Sequence, residues 1–517
     1  MRGGRQTAGI TMFITTVLTL LILMGFRQKL LANGDAYIAS GLNTHLQTDI
    51  IQGNKGRIVD RENLEWPANQ TKTKEMLMQW QSPEDVRNAL DSIYHSLYGG
   101  KYGIAILENR ELYGRHGGSF NAEDGIGDLY AKKGHDVYIT VSGVFNKRLN
   151  EALKASGADN GAAILTNYKT GEILGWTSIP SYSVGSPSLS RYDEDYDKKE
   201  AWMVDRVVDS VYQPGSIQKI ATALTAMRYA KDMKINHLDS ALFTCVGELE
   251  LSSGKHGENK KVTCPNPHGE VTLAQGFAVS CNCMFAWLAS EAGREKLITV
   301  CEDLGYNKTF TYMGQKLVNP VSRVMLPENL SDYGIGWSGS GQDADGGDVK
   351  AQPYQMNILI SAVANNGRAC QPYIISRIAD REDGSDIEKN NPDRPEYLDS
   401  SLINITSAEA LDLKTLMEGV CRENGTAAEL GAEMKKLGYT AAAKTGTAEI
   451  SQSSERLNDS GVKIVKGTIS WIACFLEEKP FALVVAAQNP SVSNAAAKIA
   501  SEVLPLAIEL NLDAPRV

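Results

Sequence analysis

The sequence predicts an α+β fold in which helices flank a five-stranded antiparallel sheet, preceded by a small N-terminal domain and one transmembrane helix. An uncharged apolar run lies near the N-terminus, and strand-like segments occur on both sides of a long helical region. The composition, with 42% hydrophobic and 22% charged residues, is that of a folded globular protein. Because 517 residues exceed the usual size of a single domain, we expect one large domain and a smaller one.

The first element is the apolar run Gly9–Phe26, which basic residues flank on both sides. As a helix it would be about 27 Å long, close to the hydrocarbon thickness of a bilayer. We therefore predict a membrane anchor over residues 9–30, with residues 1–8 in the cytoplasm and the rest of the chain outside it. A cleaved signal peptide is the alternative.

The next region, residues 34–135, is polar and shows no repeated period, and we predict a small pedestal domain there. A large domain is predicted over residues 137–515. Its first sheet strands are Ala162–Thr166 and Glu172–Trp176. A short turn ending in Gly171 joins them, which is typical of a β-hairpin.

Three further strands are predicted near the C-terminus, over Thr440–Ile450, Thr468–Leu476 and Phe481–Gln488. Together with the earlier hairpin they would form one antiparallel sheet built from both ends of the large domain. The apolar stretch Asn494–Leu510 has a helical period interrupted by one proline, and we expect it to pack on a face of the sheet as a kinked helix.

Two segments between the strand groups have less definite predictions. The charged stretch Asp380–Glu396 is predicted to be flexible surface. The glycine-rich segment Trp337–Gln342 is either a loop near a cleft or a solvated surface loop.

Three short strings carry the chemistry: Ser216-Ile-Gln-Lys219, Ser280-Cys-Asn282 and Lys444-Thr-Gly-Thr447. Each has a simpler explanation when taken alone. A serine three residues before a lysine occurs by chance, the second string could be a helix cap, and the third could be a strand with a bulge glycine. Their joint occurrence in this order matches the active-site set of penicillin-recognising serine transferases.

With the flanking strings Lys169–Leu174, Gln213–Ser216 and Ala364–Gly367, the chain resembles class B penicillin-binding proteins, the membrane-anchored D,D-transpeptidases of bacterial peptidoglycan synthesis. The resemblance implies a penicillin-binding transpeptidase domain with the serine β-lactamase-like fold. The segment Gly56–Arg61 is similar to the one that opens the family's pedestal. No segment large enough for a glycosyltransferase domain is expected before the large domain, which implies a separate glycosyltransferase partner.

The chemistry explains why a serine and a lysine are needed together. A serine hydroxyl is a weak nucleophile that must lose its proton during attack, so it needs an adjacent base. Lys219 would lie one helical turn after Ser216, on a helix that begins at Ser216. Desolvation and a neighbouring cation such as Lys444 would lower its pKa enough to leave it neutral.

The resemblance implies roles for the other motif residues. Ser280 would relay a proton between Lys219 and the leaving amine, and Asn282 would bind the peptide amide of the substrate. Gly446 would let the backbone approach the substrate closely. Lys444 lies on an edge strand in this interpretation.

The predicted substrate is a stem peptide ending in D-Ala-D-Ala. Thr445 and Thr447 would donate hydroxyl protons to its terminal carboxylate, and the backbone N–H groups of Ser216 and Thr447 would form the oxyanion hole. Attack by Ser216 would release D-alanine and form an acyl-enzyme, which an amine on a neighbouring stem would capture. β-Lactams would mimic the first step.

Other functions are weighed against this one. A hydrolase of the same superfamily, either a D,D-carboxypeptidase or a β-lactamase, would pass the acyl group to water. A non-enzymatic β-lactam sensor or division scaffold could use the same fold. Nucleic-acid binding is excluded, because a net charge of −10 gives no basic footprint. The serine mechanism requires no cofactor.

A cluster of potential ligands suggests a structural metal site. The spacing of Cys245, Cys264, His268 and Cys281 suits zinc held by three thiolates and one imidazole. A disulfide between Cys245 and Cys264 is one alternative in an extracytoplasmic chain, and reduced thiols without a metal are another.

Overall fold

The protein is described from a computed structural model. The segments it describes hold most of the predicted large domain but only short pieces of the predicted pedestal. They are residues 12, 15–25, 27–29, 56–66, 104, 109–112, 134–181, 204–233, 243–253, 258–317, 321–454, 463–492 and 494–514.

The centre of the molecule is a five-stranded antiparallel sheet, which confirms the α+β fold predicted for the large domain. Two strands come from the N-terminal side of the domain and three from its C-terminal end, in the spatial order β16-β17-β18-β4-β5. The predicted hairpin turn lies between β4 and β5, and Gly171 in it has a φ of 86°. The strands are β4 (Asn160–Asn167), β5 (Ile173–Ile179), β16 (Ala441–Ser454), β17 (Lys463–Leu476) and β18 (Phe481–Gln488).

Helices cover the sheet. The C-terminal helix α11 (Ala495–Glu509) contains Pro505 and packs against β17, β18 and α2 (Gly143–Ala155). Ser142 caps α2 by accepting a hydrogen bond from Phe145 N. On the helix α8 (Pro353–Ala364), the buried Asn357 donates to Ala482 O at 3.0 Å, which fixes α8 to the sheet.

The remaining helices differ in length from four to fourteen residues. Two of them begin with a capping box, which satisfies backbone N–H groups at the first turn. These helices are α1 (Asn109–Leu112), α3 (Lys219–Tyr229), α4 (Leu273–Ala278), α5 (Asn282–Ala292), α6 (Arg294–Asp303), α7 (Asp332–Gly339), α9 (Ser407–Val420) and α10 (Ala428–Lys436).

A second sheet joins distant parts of the chain. Its order is β15-β14-β3-β1-β2, and β1 pairs in parallel with β3 and antiparallel with β2. Residues predicted for the pedestal thus share a sheet with residues predicted for the large domain. The charged stretch predicted to be flexible contains an exposed strand of this sheet. The strands are β1 (Ile58–Val59), β2 (Glu65–Trp66), β3 (Asp136–Ile139), β14 (Ile375–Ala379) and β15 (Asp386–Lys389).

Short two-stranded ribbons complete the described fold. Two of these pairs, β6 with β9 and β7 with β8, lie between the first and second motifs. Their strands are β6 (Phe243–Cys245), β7 (Glu248–Ser252), β8 (Asn259–Thr263), β9 (Gly269–Val271), β10 (Phe310–Tyr312), β11 (Gln315–Leu317), β12 (Arg323–Met325) and β13 (Asp348–Lys350).

The predicted anchor, residues 9–30, is described only in part. Residues 15–25 are helical and expose apolar side chains such as Leu21 and Ile22. Within the described residues, no helix combines the length and the apolar character required to cross a membrane. Most of the predicted pedestal, residues 34–135, lies outside the described residues.

Candidate active site

Ser216 lies on a 3-10 turn, Gly215–Gln218, and Lys219 follows this turn as the first residue of α3. Side chains three residues apart eclipse one another in 3-10 geometry, so the serine and the lysine share one face. The sequence predicts a helix that begins at Ser216, and this prediction is wrong, because the regular α-helix begins only at Lys219. The 3-10 turn nevertheless places the Ser216 and Lys219 side chains on the same face. Gly215 has a φ of 53°, a conformation that favours glycine.

The ammonium group of Lys219 is fully buried beside the second motif. Its Nζ donates to Ser280 O at 2.7 Å, to Ser280 Oγ at 3.2 Å and to Asn282 Oδ1 at 2.7 Å. The amide of Asn282 is held from the other side, because its Nδ2 donates to Thr263 O at 3.0 Å. Lys219 thus links the first motif to the second.

The second motif is positioned by the start of α5. Asn282 is the first residue of this helix, and Cys281 caps it by accepting from Met284 N. Ser280 has a φ of 57°, which is uncommon for a residue with a side chain. This backbone conformation directs the segment so that Ser280 faces both lysines.

The third motif lies on β16, the edge strand of the central sheet. Lys444 is fully buried, and its Nζ donates to Ser280 Oγ at 3.0 Å and to Thr445 O at 3.1 Å. A Cβ on Gly446 would lie 2.8 Å from Pro214 O, so only glycine allows the turn that bears Ser216 to approach the strand this closely. Thr447 is exposed to solvent.

Both lysines have lowered pKa values. Burial lowers the pKa of Lys219 to about 8, and the thiols of Cys281, Cys264 and Cys283 partly oppose this effect. Burial, and then the charge on Lys219, lower the pKa of Lys444 well below its ordinary value. The charge therefore acts in the opposite direction to the sequence prediction: the charge on Lys219 lowers the pKa of Lys444, whereas burial lowers the pKa of Lys219. Between pH 7 and pH 8 a fraction of Lys219 is therefore neutral, at the end of the turn that bears Ser216.

The glycine-rich segment Trp337–Gln342 is not entirely the predicted loop, because α7 extends to Gly339, and its end lies against the turn that bears Ser216. Gly341 O accepts a hydrogen bond from Gly215 N at 3.0 Å. A Cβ on Gly341 would lie 1.9 Å from Gly215 O. This segment therefore supports the turn that bears Ser216 from outside the three motifs, and its glycine content is the sequence signal for the close approach.

The four candidate metal ligands also come together. The ligand atoms of Cys245, Cys264, His268 and Cys281 all lie within 4.8 Å of one another. All eight cysteines of the chain fall in the described residues and are free thiols, so the alternative disulfide between Cys245 and Cys264 is not formed. The cluster adjoins the second motif, since Cys281 lies between Ser280 and Asn282.

Together these observations place residues of all three motif strings in one site. A family model described as the penicillin binding protein transpeptidase domain matches residues 161–508, more than half of the chain. The chain belongs to this family, and its predicted resemblance to class B penicillin-binding proteins is confirmed.

Curated relatives agree with this assignment. The chain is 26% identical over 370 residues to the stage V sporulation protein D of Bacillus subtilis, covering 69% of this chain and 50% of that protein. It is 25% identical to the peptidoglycan D,D-transpeptidase PbpA of Mycolicibacterium smegmatis, covering 57% of this chain and 56% of that protein. The chain thus spans about half the length of these relatives.

Solved structures share the fold. One is the penicillin-binding protein A of M. tuberculosis as an imipenem acyl-enzyme complex, with a TM-score of 0.63 and 18% identity. The match covers 89% of this chain and 100% of that one. Another is the D,D-transpeptidase domain of a peptidoglycan glycosyltransferase from Eggerthella lenta, with a TM-score of 0.60, 20% identity and coverage of 88% and 98%.

Proposed function

We propose that this chain is a peptidoglycan D,D-transpeptidase that cross-links stem peptides through an acyl-enzyme on Ser216. The observation that carries the proposal is the convergence of two buried lysines on Ser280 Oγ, beside the turn that bears Ser216. A relative named as a peptidoglycan D,D-transpeptidase and a solved acyl-enzyme complex of the same fold support it.

The proton movements follow from this network. Neutral Lys219 accepts the Ser216 proton as Oγ attacks the penultimate D-alanine carbonyl. The proton passes through the Ser280 hydroxyl, which contacts both lysines, to the leaving nitrogen of the terminal D-alanine. The acyl-enzyme is then attacked by an acceptor amine, whose proton returns along the same route.

The strand geometry supports an oxyanion hole between the turn and β16. Gln342 Nε2 lies 3.4 Å from Thr447 O, which therefore faces the free edge of β16. A strand residue directs its N–H and C=O to the same side, so Thr447 N–H also faces this edge. The N–H groups of Ser216 and Thr447 would together donate hydrogen bonds to the developing oxyanion. Removal of one such donor typically reduces the rate by about 10²–10³-fold.

Substrate binding uses the remaining motif residues. Thr445 and Thr447 donate to the terminal carboxylate of the donor stem near the positive charge shared by the lysines. Asn282 binds the stem peptide amide, and Gly446 permits close backbone approach. A β-lactam places its carboxylate and strained amide in the same positions, so its acyl-enzyme forms without a leaving group that diffuses away.

The first experiment is mass spectrometry of the chain after brief exposure to benzylpenicillin. We expect a single long-lived adduct on Ser216 that is absent from Ser216→Ala and strongly reduced in Lys219→Ala. Absence of an adduct on the unaltered chain would contradict the proposed function. Rapid loss of the adduct to water would favour the β-lactamase or carboxypeptidase alternative.

A second assay separates transfer from hydrolysis. A D-Ala-D-Ala donor peptide is supplied with and without an acceptor amine such as a D-amino acid. A transpeptidase gives the exchanged peptide in proportion to the acceptor, whereas a carboxypeptidase gives the shortened acid whatever amine is present. A sensor or scaffold gives neither product.

We also propose the cellular arrangement that the sequence predicts. Residues 9–30 anchor the chain in the bacterial membrane, residues 1–8 remain in the cytoplasm, and residues 34–135 form a pedestal for the transpeptidase domain, residues 137–515, outside the cytoplasm. A separate glycosyltransferase supplies the glycan strands. Fractionation with protease accessibility on intact protoplasts tests the topology, because a cytoplasmic domain would be protected.

Finally, we propose that the thiol and imidazole cluster binds structural zinc. Tetrahedral zinc with sulfur ligands at about 2.3 Å separates them by roughly 3.8 Å, and Cys264 Sγ lies 3.8 Å from Cys281 Sγ. Asn282 N and Cys283 N donate to Cys264 Sγ at 3.1 and 3.4 Å, as expected for a thiolate ligand. His268 Nδ1 is buried without a hydrogen-bond partner.

Metal analysis of the purified chain tests this proposal. We expect zinc at one equivalent, lost in Cys264→Ser but retained in Cys421→Ser, a control at a buried cysteine that is not one of the four candidate ligands. Purified chain without zinc, with all thiols titrating as free, would favour reduced thiols. The metal would hold the fold beside the second motif, and no catalytic step requires it.

A further inference from the structure

Thr426 lies outside the three motifs but contacts two of the segments that carry them. It lies between α9 and α10, and its Oγ1 is 2.5 Å from Thr445 Oγ1. Its backbone N–H donates to Ala278 O at 3.2 Å, two residues before Ser280. Thr426 thus connects the strand that bears the third motif to the segment that bears the second.

The turn around Thr426 is fixed by its own backbone. Ala427 N donates to Val420 O at 2.9 Å, and Gly425 N donates to Arg422 O at 2.9 Å. A Cβ on Gly425 would lie 2.2 Å from Val420 O, so this position requires glycine. The hydroxyl of Thr426 is therefore held in place by a constrained turn rather than by a mobile loop.

The direction of the hydrogen bond between the Thr426 and Thr445 hydroxyls determines whether Thr445 can donate its proton to a substrate. A threonine hydroxyl has one proton to donate, and a carboxylate only accepts. If Thr445 donates its proton to Thr426, it has none for a substrate carboxylate. If Thr426 is the donor, the Thr445 proton is free, and accepting a hydrogen bond makes that hydroxyl a stronger donor.

We infer that Thr426 is a positioning residue that donates to Thr445 Oγ1 and so directs the Thr445 proton to the terminal carboxylate of the donor stem. This inference rests on the proposed function, in which Thr445 binds that carboxylate. Thr426 would therefore contribute to the preference for ligands with a free carboxylate over ligands whose carboxylate is masked.

The test compares two ligands and three substitutions. Acylation by benzylpenicillin and by its methyl ester, in which the carboxylate is masked, is measured as the second-order rate constant. Thr426→Val removes the hydroxyl at nearly constant volume, and Thr426→Ser keeps it. Thr415→Val is the matched control, because the exposed Thr415 on α9 only donates to Leu411 O of its own helix.

With Thr426→Val we expect acylation by the acid to fall about tenfold, the effect of weakening one hydrogen bond to a charged group. Acylation by the ester should stay within about twofold, so the preference for the acid shrinks. Thr426→Ser should restore the preference, and Thr415→Val should leave both rates unchanged. Thermal unfolding of each variant shows whether the fold is retained.

An equal fall for acid and ester in Thr426→Val would overturn the inference, because it would show a general structural effect. An unchanged rate for the acid would overturn it as well. In both cases the unaltered chain still forms the Ser216 adduct, so the proposed function stands. Absence of any adduct on the unaltered chain would overturn the proposed function and this inference together.

Discussion

The two walls of the cleft each hold a buried lysine, but they surround it differently. The helical wall, formed by α3 and the start of α5, gives Lys219 Nζ three oxygen acceptors within 3.2 Å. The strand wall, formed by β16, gives Lys444 Nζ the Ser280 hydroxyl and the carbonyl of Thr445. Both ammonium groups meet at Ser280 Oγ.

This difference in surroundings indicates that the two lysines have different roles. Two full charges on one buried hydroxyl repel each other, so the charge on Lys219 lowers the pKa of Lys444. Lys219 directly follows the 3-10 turn that bears Ser216 and is proposed to accept its proton. Lys444 adjoins the residues proposed to bind the carboxylate. We expect loss of Lys219 to impair chemistry and loss of Lys444 to impair binding more.

The largest expected effect comes from removing each lysine in turn. Lys219→Ala removes the base, and general bases contribute about 10²–10⁴-fold, so we expect the limiting acylation rate to fall by about 10³-fold. Lys444→Ala should mainly raise the dissociation constant of the non-covalent benzylpenicillin complex. Stopped-flow acylation at varied ligand concentration separates the two constants. Equal losses in the limiting rate would contradict the division of roles.

A smaller effect is expected from Gly341→Ala, which displaces the turn that bears Ser216. The new Cβ would lie 1.9 Å from Gly215 O, so the turn must shift and acylation should fall by about 10²-fold, the cost of a misplaced oxyanion donor.

Gly438→Ala is the control for Gly341→Ala. Gly438 has a comparable φ of 85° but nothing within 4 Å of its Cβ position. It should lose about 1–2 kcal/mol of stability from backbone strain, with unchanged acylation. Similar acylation losses in both variants would show that strain, rather than the displaced turn, impairs the site.

The pH profile tests whether the two lysines are coupled. Because the pKa of Lys219 is lowered to about 8, the limiting acylation rate should rise with pH and level off above about pH 8. Because burial rather than the charge on Lys444 lowers the pKa of Lys219, the midpoint in Lys444→Met should stay near pH 8. A midpoint that moves to higher pH would show that the charge on Lys444 also lowers the pKa of the base.

Much of this site could be predicted from the sequence because its parts are local strings. Lys219 directly follows the turn that bears Ser216, and Lys444 to Thr447 occupy four successive positions of one strand. The central sheet could also be predicted, since its strands are long, apolar and bounded by turns. Period and turn chemistry are sufficient for such elements.

Other features depend on pairing between distant residues. The second sheet uses strands of two residues, Ile58–Val59 and Glu65–Trp66, too short to show a period. The strand Asp386–Lys389 is exposed throughout and mostly charged, so its composition resembles a loop. Thr426 has no motif of its own, and only the packing of its turn against β16 brings it to Thr445.

The smallest expected effect concerns stability. The pKa of Lys219 is about 8 in the folded chain, below its ordinary value of 10.5, so the unfolded chain binds more protons between these two values. Folding is therefore penalised below about pH 8, by roughly 3 kcal/mol from this group, and the penalty disappears as pH rises toward 10.5. Lys219→Met removes the penalty but leaves Asn282 Oδ1 without its donor.

The stability advantage of Lys219→Met over the unaltered chain should therefore be greatest at pH 7 and decline as pH approaches 10.5, whatever its absolute value. Urea unfolding at several pH values measures this slope, with Lys414→Met, a partly buried lysine paired with Glu477, as the control. A pH-independent difference between Lys219→Met and the unaltered chain would show that Lys219 keeps its ordinary pKa. The helical wall would then hold an ammonium rather than a base, and Lys444 would be the group left to accept the proton of Ser216 through Ser280.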